Sequence, residues 1–285
     1  MKGKIVLVTG ANSGTGKATV AKLADMGAQV VMLCRSEARG KQALGEIMQT
    51  PGRDVRLMLC DLASMASIRA FAAAFKAEYD RLDVLVNNAG VITPNRQETA
   101  DGLELQFGVN HIGHFMLTLL LLDSLKKSAA GRIVVVGSGA HNVGKIHFDD
   151  LNLKRYNVVK SYSQSKLANL LFVRELDKRL KALGIPVTVN CAHPGAVATQ
   201  MGVDRKTHFG KTIVGIIKPF FLTPEQGART AIYLASAPAV ADISGQYFYR
   251  CGIYRTSRRS QDMDAAKRLF DLSEEICGVR LDDCI

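Results

Sequence analysis

The pattern richest in chemistry is Ser161-Tyr162-Ser163-Gln164-Ser165-Lys166, in which a tyrosine and a lysine stand four residues apart. On a helix that spacing puts the phenol and the ammonium on one face. A free phenol titrates at about 10, too high for ready proton exchange at neutral pH, and a nearby cation favours its ionised form. Tyr162 is therefore a candidate general acid/base, with Lys166 as the group that adjusts it. Ordinary exposed helices carry the same pair often, so its weight comes from position: it follows the fifth strand-like run of the chain.

A second cluster, Thr9-Gly10-Ala11-Asn12-Ser13-Gly14-Thr15-Gly16-Lys17, falls where the first strand-like run hands over to a helix-like one. Gly10, Gly14 and Gly16 permit a tight turn and close approach of backbone to a pyrophosphate, whose charge the helix N-terminus receives. Asn12, Ser13 and Thr15 belong to the same candidate cofactor turn. Its spacing is G-x-x-x-G-x-G rather than G-x-G-x-x-G. His111 and His114 stand at helical spacing but have no carboxylate or cysteine companion, and His141, His147 and His208 form no ligand set, so no metal site is expected.

These groups need a scaffold, and periodicity supplies one. Short apolar runs at 5–9, 29–34, 55–60, 82–86, 132–136 and 186–191 alternate with segments of three-and-four spacing at 18–26, 37–48, 67–79, 101–127 and 162–183. Such alternation predicts an α/β fold, a doubly wound parallel sheet with helices on both faces, in a single domain spanning 1–285. Thr223-Pro224-Glu225-Gln226 predicts a capped helix start, 246–249 a short last strand, and 263–276 a terminal helix within a tail covering 260–285. The rhythm breaks over 203–222, where Ile213, Val214, Ile216 and Ile217 stand among Arg205, Lys206, Lys211 and Lys218; a substrate lid, with peripheral contact to an anionic membrane, is expected there.

Composition narrows the partners. No window holds the roughly 18 to 20 uninterrupted apolar residues of a spanning helix, and Met1-Lys2-Gly3-Lys4 leads straight into a strand, so a soluble, cytoplasmic chain without a signal peptide is expected. The six cysteines include no C-x-x-C pair, which fits a reducing compartment. A net charge of +11 invites an anionic partner, but the basic residues are dispersed apart from Arg250, Arg255, Arg258 and Arg259, and no aromatic-interleaved basic stretch suggests base stacking; no nucleic-acid partner is expected.

With Asp61-Leu62 after the third run and Asn87-Asn88-Ala89-Gly90 after the fourth, the motifs together resemble the short-chain dehydrogenase/reductase family along nearly the whole chain. The resemblance implies a nicotinamide cofactor. It implies that Asp61 and Leu62 lie against the adenine, that Asn87, Ala89 and Gly90 form the turn beside the cofactor, and that Ser138 hydrogen-bonds the substrate oxygen, although Gly137 stands where the family often has another serine. It implies further that Asn110 holds a water of a proton relay with Tyr162 and Lys166, and that Pro194, Gly195, Val197 and Thr199 border the nicotinamide. The end of the second run chooses the cofactor: Cys34-Arg35-Ser36 carries no acid for the ribose hydroxyls, while Arg35 offers a fork for a 2′-phosphate, with Arg39 and Lys17 as helpers, so NADP(H) is expected.

Within the family, Gly10-Ala11-Asn12-Ser13-Gly14, Val109-Asn110-His111-Ile112-Gly113-His114-Phe115 and His193-Pro194-Gly195 are most similar to retinol dehydrogenases and the WW-domain oxidoreductase group. That implies an apolar alcohol, aldehyde or ketone as substrate. The alternatives are a non-catalytic NADP(H)-sensing protein and a light-dependent pigment reductase on the same scaffold. The long segments 101–127 and 162–183 resemble those that pair subunits in the family, implying a homo-oligomer.

Overall fold

The computed structural model describes residues 1–196 and 222–285. Its strands are β1 (Ile5–Thr9), β2 (Gln29–Cys34), β3 (Asp54–Leu59), β4 (Val84–Asn87), β5 (Gly131–Val136), β6 (Val187–His193), β7 (Tyr247–Tyr249) and β8 (Gly252–Ile253). They form one sheet in the order β3-β2-β1-β4-β5-β6-β7-β8. All neighbouring pairs are parallel except β7 with β8, a two-residue antiparallel strand that the sequence pattern was too short to reveal.

Alternate residues of the central strands feed two cores. Leu7, Leu33, Leu85, Ile133, Val135, Val189 and Cys191 point to one face; Val6, Val8, Met32, Val86, Val134 and Ala192 point to the other. Strands buried on both sides carry no polar alternation, which is why these runs read as continuous apolar blocks. Of the described helices, α1 (Gly14–Asp25), α2 (Glu37–Met48) and α8 (Pro224–Ser236) add residues to the second core. The first core takes α3 (Met65–Glu78), α5 (Gly113–Leu120), α6 (Leu122–Lys126), α7 (Val158–Ala182) and α9 (Met263–Cys277).

Local chemistry accounts for most ends. Ser36 caps α2, Asn157 caps α7 and Asp262 caps α9, each accepting a first-turn N–H, and Gly278 closes α9 in the left-handed region at φ 58°. The Thr223–Gln226 capping box at α8 forms as the sequence predicts. The helix expected over 101–127 does not run through. Gly102, at φ 78°, turns the chain so that Thr99 N–H reaches Leu103 O at 2.8 Å, and helix begins only with α4 (Leu105–Phe107). A π turn, Gly108–Ile112, then precedes α5. Gly108 packs against Thr99, and a Cβ on Gly113 would stand 2.6 Å from Leu62 O, so tertiary fit sets this segment's path.

Among the described residues no helix is long and apolar enough to cross a membrane, and all six cysteines are free. Residues 203–221 of the expected lid lie outside the described residues. Leu222, its last residue, donates its N–H to Ala196 O at 2.8 Å.

Candidate active site

The glycine turn is built by fit. Gly10 sits at φ 64°, and a Cβ there would stand 2.8 Å from Ala89 Cα. A Cβ on Gly16 would run into Gly10 O and lie 2.5 Å from Asn88 Nδ2. Gly14, also left-handed at φ 54°, opens α1, whose N-cap Ser13 makes no side-chain cap bond. The β1–α1 turn thus lies against the β4 turn, with a bare backbone at the helix start that suits a pyrophosphate.

Two residues whose roles the sequence left unassigned lock these turns together. Thr9 Oγ1 accepts the N–H groups of Asn88 and Ala89 at 2.9 and 2.8 Å, while Asn88 donates from Nδ2 to Thr9 O and accepts from Thr15 Oγ1. Asn87, 1% exposed, donates from Nδ2 to Thr118 Oγ1, and its Oδ1 is buried without a protein partner. Asp61 Oδ1 accepts Ala63 N–H, so this carboxylate shapes the turn into α3 rather than capping the helix, a role Ser64 fills. Leu62 is buried beneath Gly113.

At the end of β2, Arg35 is exposed and no carboxylate stands at that strand end. Of its two expected helpers, Lys17 is ion-paired with Glu46, and Arg39 carries the N–H that Ser36 caps.

The candidate catalytic groups gather at the carboxyl ends of β4, β5 and β6, where ligands bind in open α/β sheets. Lys166, 3% exposed, donates from Nζ to Val136 O at 3.0 Å, and its Nζ lies 5.7 Å from the Tyr162 ring centre. Tyr162 is the one residue between Ser161 and Val173 that is not fully buried. Two residues beyond Val136, Ser138 Oγ accepts Ala140 N–H, leaving its hydroxyl proton for another acceptor. Gly137 is explained by Cys191: a Cβ would stand 2.5 Å from its Sγ, so a second serine has no room.

Asn110 lies fully buried in the π turn. Its side chain is consumed within the protein: Oδ1 accepts Val91 N–H at 2.7 Å, and Nδ2 reaches Val91 O and Ser165 Oγ, both at 3.1 Å. The backbone carbonyl is then the atom with which this residue could hold a water.

After β6, Pro194 lines a small cavity with Thr15, Asn88, Val136, Gly227 and Ala231. Gly195, at φ 81°, donates its N–H to His193 Nδ1. The His193 ring stacks 4.8 Å from Tyr249, and burial, then the charges of His141 and Lys166, push its pKa down to about 4. Val197 and Thr199 lie outside the described residues. Among the described residues no group of histidine, cysteine or carboxylate side chains could hold a metal ion.

Sheet order, glycine turn and the Tyr162–Lys166 pair define a dinucleotide-binding α/β oxidoreductase scaffold. Comparison with known proteins narrows the class: residues 4–208 match the family model described as short chain dehydrogenase, and the chain belongs to that family, whose members use a nicotinamide cofactor. It is 46% identical to retinol dehydrogenase 14 of Mus musculus across 98% of this chain and 87% of that one. To retinol dehydrogenase 11 of Homo sapiens it is 43% identical across 99% and 88%. An uncharacterized protein from Mycobacterium Paratuberculosis superposes with a TM-score of 0.80 at 35% identity, covering 98% of this chain and 95% of that one. The Pseudomonas aeruginosa RhlG/NADP active-site complex does so at 0.69 and 26%, covering 87% and 94%.

Proposed function

We propose that the protein is an NADP(H)-dependent oxidoreductase acting on an apolar alcohol, aldehyde or ketone, in the manner of a retinol dehydrogenase. The observation that carries the reading is the anchoring of Lys166 to Val136 O, which holds one ammonium beside Tyr162 and two residues from Ser138. When bound, the nicotinamide supplies or takes up the hydride. The rest is work for side chains. Ser138 donates its free hydroxyl proton to the substrate oxygen and orients it; the Tyr162 hydroxyl gives that oxygen a proton in reduction and takes one in oxidation. Lys166 places its positive charge 5.7 Å from the Tyr162 ring centre and links the phenol to the proton path. Asn110, through its carbonyl, holds a water that returns the proton towards solvent.

The glycine turn fits the cofactor because Cβ atoms at Gly10 and Gly16 would fill the space a backbone-hugging pyrophosphate needs. The family resemblance assigns Asp61, Asn87, Ala89, Gly90, Pro194 and Gly195 to the same cofactor site, and Pro194 lines the cavity beside Thr15 and Asn88. The exposed Arg35 and the lack of an acid beside it support NADP(H) over NAD(H). The names of the relatives, and the NADP complex among the solved structures, support substrate class and cofactor respectively.

A panel of aldehydes and ketones of rising chain length, followed by NADPH absorbance, tests the reading. Tyr162→Phe is expected to lower turnover at least about a hundredfold with cofactor affinity nearly intact. Arg35→Asp is expected to reverse the preference for NADPH over NADH. Retained turnover in Tyr162→Phe would overturn the acid/base assignment, and equal wild-type dissociation constants for the two cofactors the choice of NADP(H).

A further inference from the structure

His114 lies in the first turn of α5, 1% exposed, and no step proposed above uses it. Its two ring nitrogens touch both halves of the site. Nε2 is 2.9 Å from Thr9 Oγ1, and Nδ1 is 3.2 Å from Asn110 O. The proton count is fixed by the neighbours. Thr9 Oγ1 already accepts two backbone N–H groups, from Asn88 and Ala89, so its single proton is what it offers to Nε2. Nε2 therefore accepts, Nδ1 carries the ring proton, and Nδ1–H donates to the Asn110 carbonyl.

Burial, followed by the charge of Lys166, pushes the His114 pKa down to about 4, so the neutral ring required by this pattern persists at physiological pH. The backbone is pinned as well: Thr118 Oγ1 donates to His114 O at 2.7 Å while accepting from Asn87 Nδ2. Asn110 itself stands in the π turn, where Gly113 N–H bonds Gly108 O five residues back, a distortion that re-aims carbonyls and recurs at functional sites.

We propose that His114 is a positioning residue that joins the cofactor turn to the proton path, its Nδ1–H aiming the Asn110 carbonyl while Thr9, bound to the Asn88-Ala89 turn, aims His114. A carbonyl oxygen has two lone pairs. With His114 on one, the other is directed, and the water held there keeps its orientation toward Lys166. The inference rests on the reading of Asn110, Tyr162 and Lys166 as a proton relay.

Two near-isosteric variants separate the halves of the link. His114→Asn places an amide N–H near the Nδ1 position and so keeps the donor to Asn110. His114→Gln places an acceptor near the Nε2 position and keeps the bond from Thr9 alone. With NADPH and the most responsive aldehyde of the panel, His114→Gln is expected to lose about tenfold in kcat, the scale of one buried hydrogen bond. His114→Asn is expected to stay within about threefold of wild type, and NADPH dissociation constants from calorimetry to change less than threefold in the Gln variant. Independently of activity, ¹⁵N–¹H correlation spectra of the wild type are expected to show the proton on Nδ1. A proton on Nε2 overturns the proposal; so do equal kcat losses in the two variants that track their melting temperatures, or no loss in either. Tyr162→Phe run alongside separates the two failures: if it loses turnover while both His114 variants match wild type, only this inference falls, and if it keeps turnover, both readings fall.

Discussion

Acidification from pH 7 to 5 should destabilise the protein chiefly through two fully buried histidines, with the partly buried His193 adding to them, before the carboxylates take part. Desolvation by burial holds His111 at about 3 and His114 at about 4, against 6.5 for the free ring. Between pH 6.5 and 4 the unfolded chain binds protons on these rings that the folded chain refuses. Their contribution is thus complete above pH 6.5 and shrinks as pH falls. At about 1.4 kcal/mol per pH unit, descent to pH 5 costs about 2 kcal/mol for each ring, or about 4 kcal/mol if the two act independently. The carboxylates act in a separate window. Against the desolvation that burial imposes, bonds from Ser128, the Ile5 N–H and Lys4 hold Asp83 below the usual carboxylate range, so its contribution is lost only below about pH 4. Urea unfolding followed by circular dichroism at pH 7, 6 and 5 measures the slope. The His111→Asn/His114→Asn double variant should lose the larger part of the pH dependence between 7 and 5, the remainder belonging to the partly buried His193, also held at about 4, and to His141, whose pKa burial lowers. Equal slopes in variant and wild type, or a flat wild-type profile, would refute the assignment.

Gly137→Ser should lower stability by about 1–3 kcal/mol by thermal denaturation, because its Cβ would stand 2.5 Å from Cys191 Sγ, and adding Cys191→Ala should recover most of the loss. Gly10→Ala should both lower the melting temperature and weaken NADPH binding in calorimetry, since φ is 64° and Ala89 Cα would lie 2.8 Å from the new methyl. Asp83→Ala should cost about 3 kcal/mol in urea unfolding: its 2%-exposed carboxylate accepts from Lys4, Ile5, Arg81 and Ser128, and the part-exposed lysine and arginine can regain water.

Legibility in the sequence followed the range of the interactions. The α2 bounds were readable at 37–48 because its cap, Ser36, and its apolar spacing are both local, and α8 because the Thr223–Gln226 box is four residues long. The interruption of 101–127 was not, since the fits that bend it are Gly108 against Thr99 and Gly113 against Leu62, the latter some fifty positions away. In the site, Tyr162 and Lys166 are legible from their spacing together with their position after the fifth strand-like run. The engagement of the Asn110 side chain with Val91 and Ser165 does not, nor does the contact of His114 with Thr9, 105 residues apart. A histidine four residues after Asn110 carries no mark in sequence of which carbonyl its ring will meet.

The C-terminal helix changes what surrounds the site. Within one chain, α9 lies on α7 and α5, with Phe270 against Phe115 and Phe172 and with Ser273 at the His111 ring. Arg179 of α7 binds Asp271 and Glu274 across this seam and stands 4.0 Å over Phe270. From Ser163 to Val173 α7 is buried on every side within a single copy. A partner tethered in the same chain acts at a high effective concentration that dilution cannot reduce. The packing that holds Lys166 and Asn110 in place is thereby unimolecular, and it persists at nanomolar enzyme as it does at millimolar.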